Sequence, residues 1–79
     1  MNNNVTYNDI FKKCFGLEDK DLNETLTYDS SPEWDSVGHM ELIAELEDAF
    51  NIMMETDDII DFSSYEKGKE ILAKYNIKF

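Results

Sequence analysis

The sequence predicts an all-α fold, a small four-helix bundle with three longer helices, one short helix, and a long loop between the first two helices. Its 79 residues, 42% of them hydrophobic, are enough for one small domain over residues 1–79. Only three glycines and one proline interrupt the chain, so long helices can form. The apolar residues recur at helical spacing, and no segment alternates as a strand does.

The first helix is predicted at about 5–16. Its apolar residues follow the i, i+3, i+4, i+7, i+8 spacing of an amphipathic helix: Tyr7, Ile10, Phe11, Cys14 and Phe15. Thr6 followed by Asp9 resembles a capping box, and Gly16 is placed to end the helix. On this pattern, Cys14 is a small core residue.

Residues 17–34 are predicted to form a long, ordered loop. Pro32 disfavours helical dihedrals at Ser31. Four apolar side chains spaced along the loop indicate that it packs across the helices: Leu17, Leu22, Leu26 and Tyr28. Loops of this length in compact domains are usually functional or disordered, and the spaced apolar side chains favour order.

The second helix is predicted to follow an N-cap at Asp35 and to run through Phe50. After a short link, Thr56 can cap a brief helix at about 57–62. A capping box at 63–66 starts a last helix at about 64–75, in which Gly68 permits a close helix contact. The remaining apolar residues between the second and last helices are expected to pack inward or, for the two methionines, to line a cavity: Met53, Met54, Ile59, Ile60 and Phe62.

The second helix carries two apolar stripes. One is an ordinary core-facing stripe: Leu42, Ile43, Leu46, Ala49 and Phe50. The other consists of Val37, Met40 and Ala44, and is bordered by acidic residues: Glu41, Glu47 and Asp48. An exposed apolar strip with charged edges indicates a docking surface. The alternative is a central helix that is buried on both sides.

Charge and composition exclude several functions. Seven Lys and Arg against eighteen Asp and Glu give a net charge of −11, which repels nucleic acid and anionic membranes and attracts basic protein surfaces. One cysteine excludes an internal disulfide and a CxxC motif. With one histidine and a small core, the chain is not expected to be an enzyme. No signal peptide or membrane span is apparent in the sequence, so a cytoplasmic protein is expected.

Two weaker signals favour a structural role. The acidic run Asp57–Asp61 resembles a magnesium-binding pattern of prenyl-diphosphate enzymes, but 79 residues cannot enclose their cavity, so no metal site is expected. Its carboxylates instead favour the N-terminus of the short helix. His39 lies beside the core stripe of the second helix, which predicts a histidine at the edge of the core rather than a base that activates Ser36.

The segment Asp35–Phe50, DSVGHMELIAELEDAF, resembles the signature helix of acyl carrier proteins. The family pattern is an Asp-Ser pair, an apolar residue, and a run that ends in Leu-Glu and acidic residues before Phe. The order of helices and the long loop extend the resemblance over nearly the whole chain. Many members have Gly before the pair or Leu after it, where this chain has Trp34 and Val37, which favours a specialised biosynthetic pathway.

The resemblance implies that Ser36 carries 4′-phosphopantetheine through a phosphodiester, installed from coenzyme A by a phosphopantetheinyl transferase, and that Asp35 supports this site. The arm would hold acyl groups as thioesters and present them to acyl-loading and acyl-using enzymes with basic docking patches. It also implies a monomer whose partner-binding residues lie on the second helix: Val37, Met40, Glu41, Ala44, Glu47 and Asp48. An aminoacyl or peptidyl carrier, or an acidic helical adaptor without an arm, are the alternatives.

Overall fold

The computed structural model describes residues 2–28 and 30–79 and confirms the all-α fold class. The described residues form four α-helices: α1 (Asn3–Phe15), α2 (Ser36–Phe50), α3 (Thr56–Asp61) and α4 (Tyr65–Ala73). A 3₁₀ turn over Asp19–Asp21 lies in the loop after α1. No helix among the described residues combines the length and apolar character needed to cross a bilayer.

The start of α1 differs from the prediction. The helix begins at Asn3, and the side chain of Asn2 caps it by accepting a hydrogen bond from the Asn4 amide at 2.9 Å. The capping box at Thr6 was therefore wrong, because Thr6 lies inside the helix and Asn is itself a strong N-cap residue. The predicted end is confirmed, since Gly16 adopts a left-handed φ of 64°.

The loop from 17 to 34 closes over the core, as predicted for its described part. Leu26 is buried, and Trp34 is completely buried and stacks on Phe15 with ring centroids 5.4 Å apart. Backbone hydrogen bonds tie the loop to the start of α4, including one from the Tyr65 amide to the Leu26 carbonyl at 2.9 Å. The buried Trp34 indole anchors the end of the loop, two residues before α2 begins at Ser36.

A close contact between α1 and α4 depends on Gly68, as predicted. A Cβ at this position would lie 2.2 Å from the Tyr7 hydroxyl and 2.3 Å from the ring of Phe62. That hydroxyl instead donates to the Tyr65 carbonyl at 2.7 Å. Helix α4 begins one residue later than predicted. Its N-cap is Ser64, whose hydroxyl accepts a hydrogen bond from the Lys67 amide.

The predictions for the segment around α3 were partly wrong. Phe62 and Met54 are buried, but Met53 is 85% exposed and Ile60 is 71% exposed. The inward face of α3 holds Asp58, and Ile60, two residues further along the helix, faces outward. Phe62 follows directly after the helix and is buried. Thr56 is the first helical residue rather than the cap, which is Glu55.

Candidate functional site

The two stripes of α2 have opposite environments. Three residues of the inward stripe are buried in the core: Leu42, Ile43 and Leu46. On the other side, Val37 is 70% exposed, Met40 is 57% exposed and Ala44 is exposed. Burial of the helix on both sides is thus contradicted. Ala49, predicted to face inward, is exposed, because the core stripe ends one turn before the helix does.

Ser36 is the first residue of α2 and is exposed. The preceding Asp35 is the N-cap, and its carboxylate accepts a hydrogen bond from the Gly38 amide at 2.8 Å. Gly38 allows the loop to cross close to this turn, since a Cβ there would lie 1.9 Å from the Glu33 carbonyl oxygen. The first turn of α2 is thereby fixed by its cap and by the loop, while Ser36 faces solvent.

A mostly apolar groove of about 390 Å³ opens beside Ser36, between α2, α3 and the loop. It is lined by side chains from all three segments: Tyr28, Ser36, His39, Met40, Ile59, Ile60, Phe62 and Ser63. Sequence reasoning missed this groove, because it depends on how the loop and α3 approach α2. No local pattern indicated the groove, since Ile60, which lines it, was predicted to lie in the core.

His39 connects the three segments around this groove. Its Nδ1 accepts a hydrogen bond from the Trp34 indole at 3.0 Å, and its Nε2 lies 2.8 Å from the Ile59 carbonyl oxygen. Because Nδ1 is an acceptor, the proton of the neutral ring is on Nε2, which donates to Ile59. Both ring nitrogens are engaged within the fold, so the histidine at the edge of the core is confirmed and is not positioned to activate Ser36.

Some acidic side chains along α2 are exposed, and others form a hydrogen bond or an ion pair with a neighbouring segment. Glu41 and Asp48 are exposed. Glu47 is half-buried, and its carboxylate accepts a hydrogen bond from the Met54 amide at 2.9 Å, which holds the link to α3. Glu45 pairs with Lys13 of α1 at 2.6 Å, and this contact raises the pKa of Lys13. The border of the apolar strip therefore combines exposed charge with one structural carboxylate.

One carboxylate of the acidic run on α3 contacts the residues that follow α4. Asp58 is buried and accepts hydrogen bonds from Lys74 and from the Tyr75 hydroxyl, which lower the pKa of its carboxyl group. Over residues 2–28 and 30–79, no group of three or more histidine, cysteine or acidic side chains is arranged to hold a metal ion. Cys14 is half-buried against the core, and burial raises the pKa of its thiol, which makes it a poor nucleophile.

Comparison of the chain with models of protein families and with curated proteins gives no match in either case. The functional interpretation therefore depends on the pattern of α2 and on the geometry around Ser36.

Proposed function

We propose that the chain is an acyl carrier protein that holds acyl groups as thioesters on a 4′-phosphopantetheine arm attached to Ser36. The observation that supports this most directly is the position of Ser36, exposed at the first residue of α2, at the head of the apolar strip. The resemblance of Asp35–Phe50 to the signature helix of acyl carrier proteins gives this serine its chemical role.

The start of α2 suits a phosphodiester. Backbone amides in the first turn of a helix lack acceptors within the helix, and the helix dipole is positive at this end. Asp35 occupies one of these amides, that of Gly38, and thereby supports the turn in which Ser36 stands. A phosphate on the Ser36 hydroxyl would lie close to the remaining amides, where negative charge is favoured.

The groove beside Ser36 suits a flexible arm. Its walls include the thioether of Met40, the side chain of Ile60 and the ring of Tyr28, and Ser36 itself lies at its edge. An arm attached at this edge could lie along the apolar walls between visits to partner enzymes. The thioester is the chemistry that the arm supplies, and the chain's own residues are needed only to hold and present it.

The exposed face of α2 suits transient binding to basic partners. Val37, Met40 and Ala44 offer apolar contact, and Glu41 and Asp48 place exposed negative charge beside it. With a net charge of −11, the chain attracts basic docking patches over a distance and favours fast association. We propose that this face recognises the phosphopantetheinyl transferase and the acyl-loading and acyl-using enzymes, with Glu47 also at the border.

By this proposal the chain is a cytoplasmic monomer that contributes no catalytic residue and serves a specialised biosynthetic pathway. An aminoacyl or peptidyl carrier would use the same serine and the same arm with a different cargo. An acidic adaptor would use the same exposed face without an arm. Attachment of phosphopantetheine at Ser36 therefore distinguishes both kinds of carrier from an adaptor.

The test is transfer of phosphopantetheine to the unmodified protein. Coenzyme A, magnesium and a broad-specificity phosphopantetheinyl transferase should add the mass of one phosphopantetheine, as measured by intact-mass spectrometry. Ser36→Ala should abolish the addition. Ser63→Ala is the matched control, because Ser63 lines the same groove and should be dispensable. An unchanged mass of the wild-type protein would favour the adaptor.

A further inference from the structure

A second opening in the surface, the α1–α2 cleft, lies between the end of α1 and the middle of α2. It has a volume of about 300 Å³ and is lined by Lys13 and Cys14 of α1 and by Glu41, Ala44 and Glu45 of α2. Most of its walls are apolar. Because Ala44 belongs to the apolar strip of α2 and Glu41 to its acidic border, the cleft continues the exposed face of that helix onto α1.

The charges around the α1–α2 cleft do not balance. Lys13 and Glu45 form an ion pair at 2.6 Å, which leaves the carboxylate of Glu41 as the remaining charge. Glu41 is exposed, and among residues 2–28 and 30–79 it takes part in no ion pair. The pKa of the Cys14 thiol is raised mainly by burial and further by the negative charges of Glu45 and Glu41. The cleft therefore combines apolar walls with one unmatched negative charge.

A cleft on α4 has a different balance of charge. It has a volume of about 240 Å³, and its two carboxylates, Asp61 and Glu70, are matched by two lysines, Lys67 and Lys74. A cationic side chain that entered it would meet two positive charges. Of these two clefts, only the α1–α2 cleft offers a cation an unmatched carboxylate, although both belong to a chain with a net charge of −11.

We propose that the α1–α2 cleft receives a lysine or arginine side chain of a basic partner protein. Such a side chain has an apolar stem and a charged end. The stem packs against Ala44 and Cys14, and the charged end pairs with Glu41. The proposal deepens the docking role of α2 and rests on that part of the proposed function. It adds a contribution from α1 and needs no arm on Ser36, so the two proposals can fail separately.

The test uses the unmodified protein and two short peptides, acetyl-Leu-Arg-Leu-amide and its counterpart with citrulline in place of arginine. Citrulline keeps the length of the arginine side chain but has no charge. Each peptide is titrated at constant salt and followed by NMR spectra of the backbone amides. The arginine peptide should shift the amide signals of the residues that line the α1–α2 cleft, and it should bind more tightly than the citrulline peptide. Equal binding of the two peptides would indicate an apolar occupant and would overturn the proposal.

Three variants at exposed positions separate the cleft from the general negative charge of the chain. Glu41→Gln should raise the Kd of the arginine peptide about two- to fivefold, the effect of one exposed ion pair. Glu70→Gln removes the same charge from the cleft on α4 and should leave the Kd nearly unchanged. Ala44→Leu keeps every charge but fills the α1–α2 cleft, so it should also weaken binding. Equal effects of Glu41→Gln and Glu70→Gln, or an unchanged Kd in Ala44→Leu, would contradict the proposal. Circular dichroism checks that each variant is folded.

Discussion

The two faces of α2 share one helix and one capping residue but have opposite environments. Leu42 and Leu46 are completely buried, whereas Val37 and Met40 on the other face are exposed over more than half of their surface. Both faces contain apolar side chains, so hydrophobicity alone does not determine which one becomes core. The difference is the acidic border, because Glu41 and Asp48 share one edge of the outward face and remain in water only if that edge does.

The same contrast holds on a smaller scale in α3. Asp58 is buried and paired with Lys74 and Tyr75, while its neighbour Ile60 is exposed at the groove. A polar side chain on the inside and an apolar one on the outside reverse the usual pattern. In both helices, the exposed apolar residues lie close to Ser36 in the groove or on the strip that begins there.

The largest expected effect comes from truncating one side chain on each face of α2. Leu42→Ala should lower the free energy of unfolding by about 2–5 kcal/mol, because it leaves a cavity in the core. Met40→Ala should change it by less than about 0.5 kcal/mol, since Met40 is mainly in solvent. Urea unfolding followed by circular dichroism measures both. Equal losses in the two variants would show that the strip is part of the core.

Charge reversals along the border of the strip should affect partner binding. Glu41→Lys should lower kcat/KM of the phosphopantetheinyl transferase several-fold without changing stability, because Glu41 is exposed. Glu47→Lys should weaken the same reaction and also destabilise the fold by about 1 kcal/mol, since the Met54 amide loses its acceptor.

The matched control at this border is Glu47→Gln, which removes the charge and retains an acceptor for the Met54 amide. Its melting temperature should lie close to that of the wild type, while its transferase kinetics should be impaired. If neither Glu41→Lys nor Glu47→Lys changed kcat/KM of the transferase, the outward face of α2 would be ruled out as the docking surface.

A smaller effect is expected from the inward carboxylate of α3. The hydrogen bonds from Lys74 and Tyr75 lower the pKa of Asp58, so its contribution to stability is present above the ordinary Asp pKa of about 3.9 and is lost as the pH falls below it. Asp58→Asn should therefore be less stable than the wild type at pH 7, with a smaller difference at pH 3. Thermal unfolding at both pH values measures this difference. A gap that widens in acid would contradict the assigned role of Asp58.

The sequence predicts those parts of the fold that depend on local patterns. The bounds of α2 follow from Asp35 as a cap and from a long apolar repeat, and the end of α1 follows from Gly16, which has a left-handed φ. Gly68 is recognisable because glycine is unfavourable inside a helix, which indicates a position where a neighbouring segment approaches closely. The short α3 is harder to orient, because a helix of six residues gives no repeat by which its buried face can be recognised. Asp58 occupies the inward face of α3, and a pattern of apolar residues cannot indicate a buried aspartate.

The site was predictable in one part only. The exposure of Ser36 and of the strip follows from the spacing of apolar and acidic residues along α2. The groove and the hydrogen bonds of His39 were not predictable, because Trp34, His39 and Ile59 come together only when the loop and α3 pack on α2. No local pattern encodes which carbonyl or indole a histidine at the edge of the core will contact.

The central claim, that the hydroxyl of Ser36 carries the arm, is tested most directly by locating the added group within the chain. Tandem mass spectrometry of the transferase-treated protein should show the mass of phosphopantetheine on fragments that contain Ser36. Fragments that end at Asp35 or begin at Val37 should be unmodified. Modification at another serine, such as Ser63, or a protein that takes up no group at all, would contradict the account.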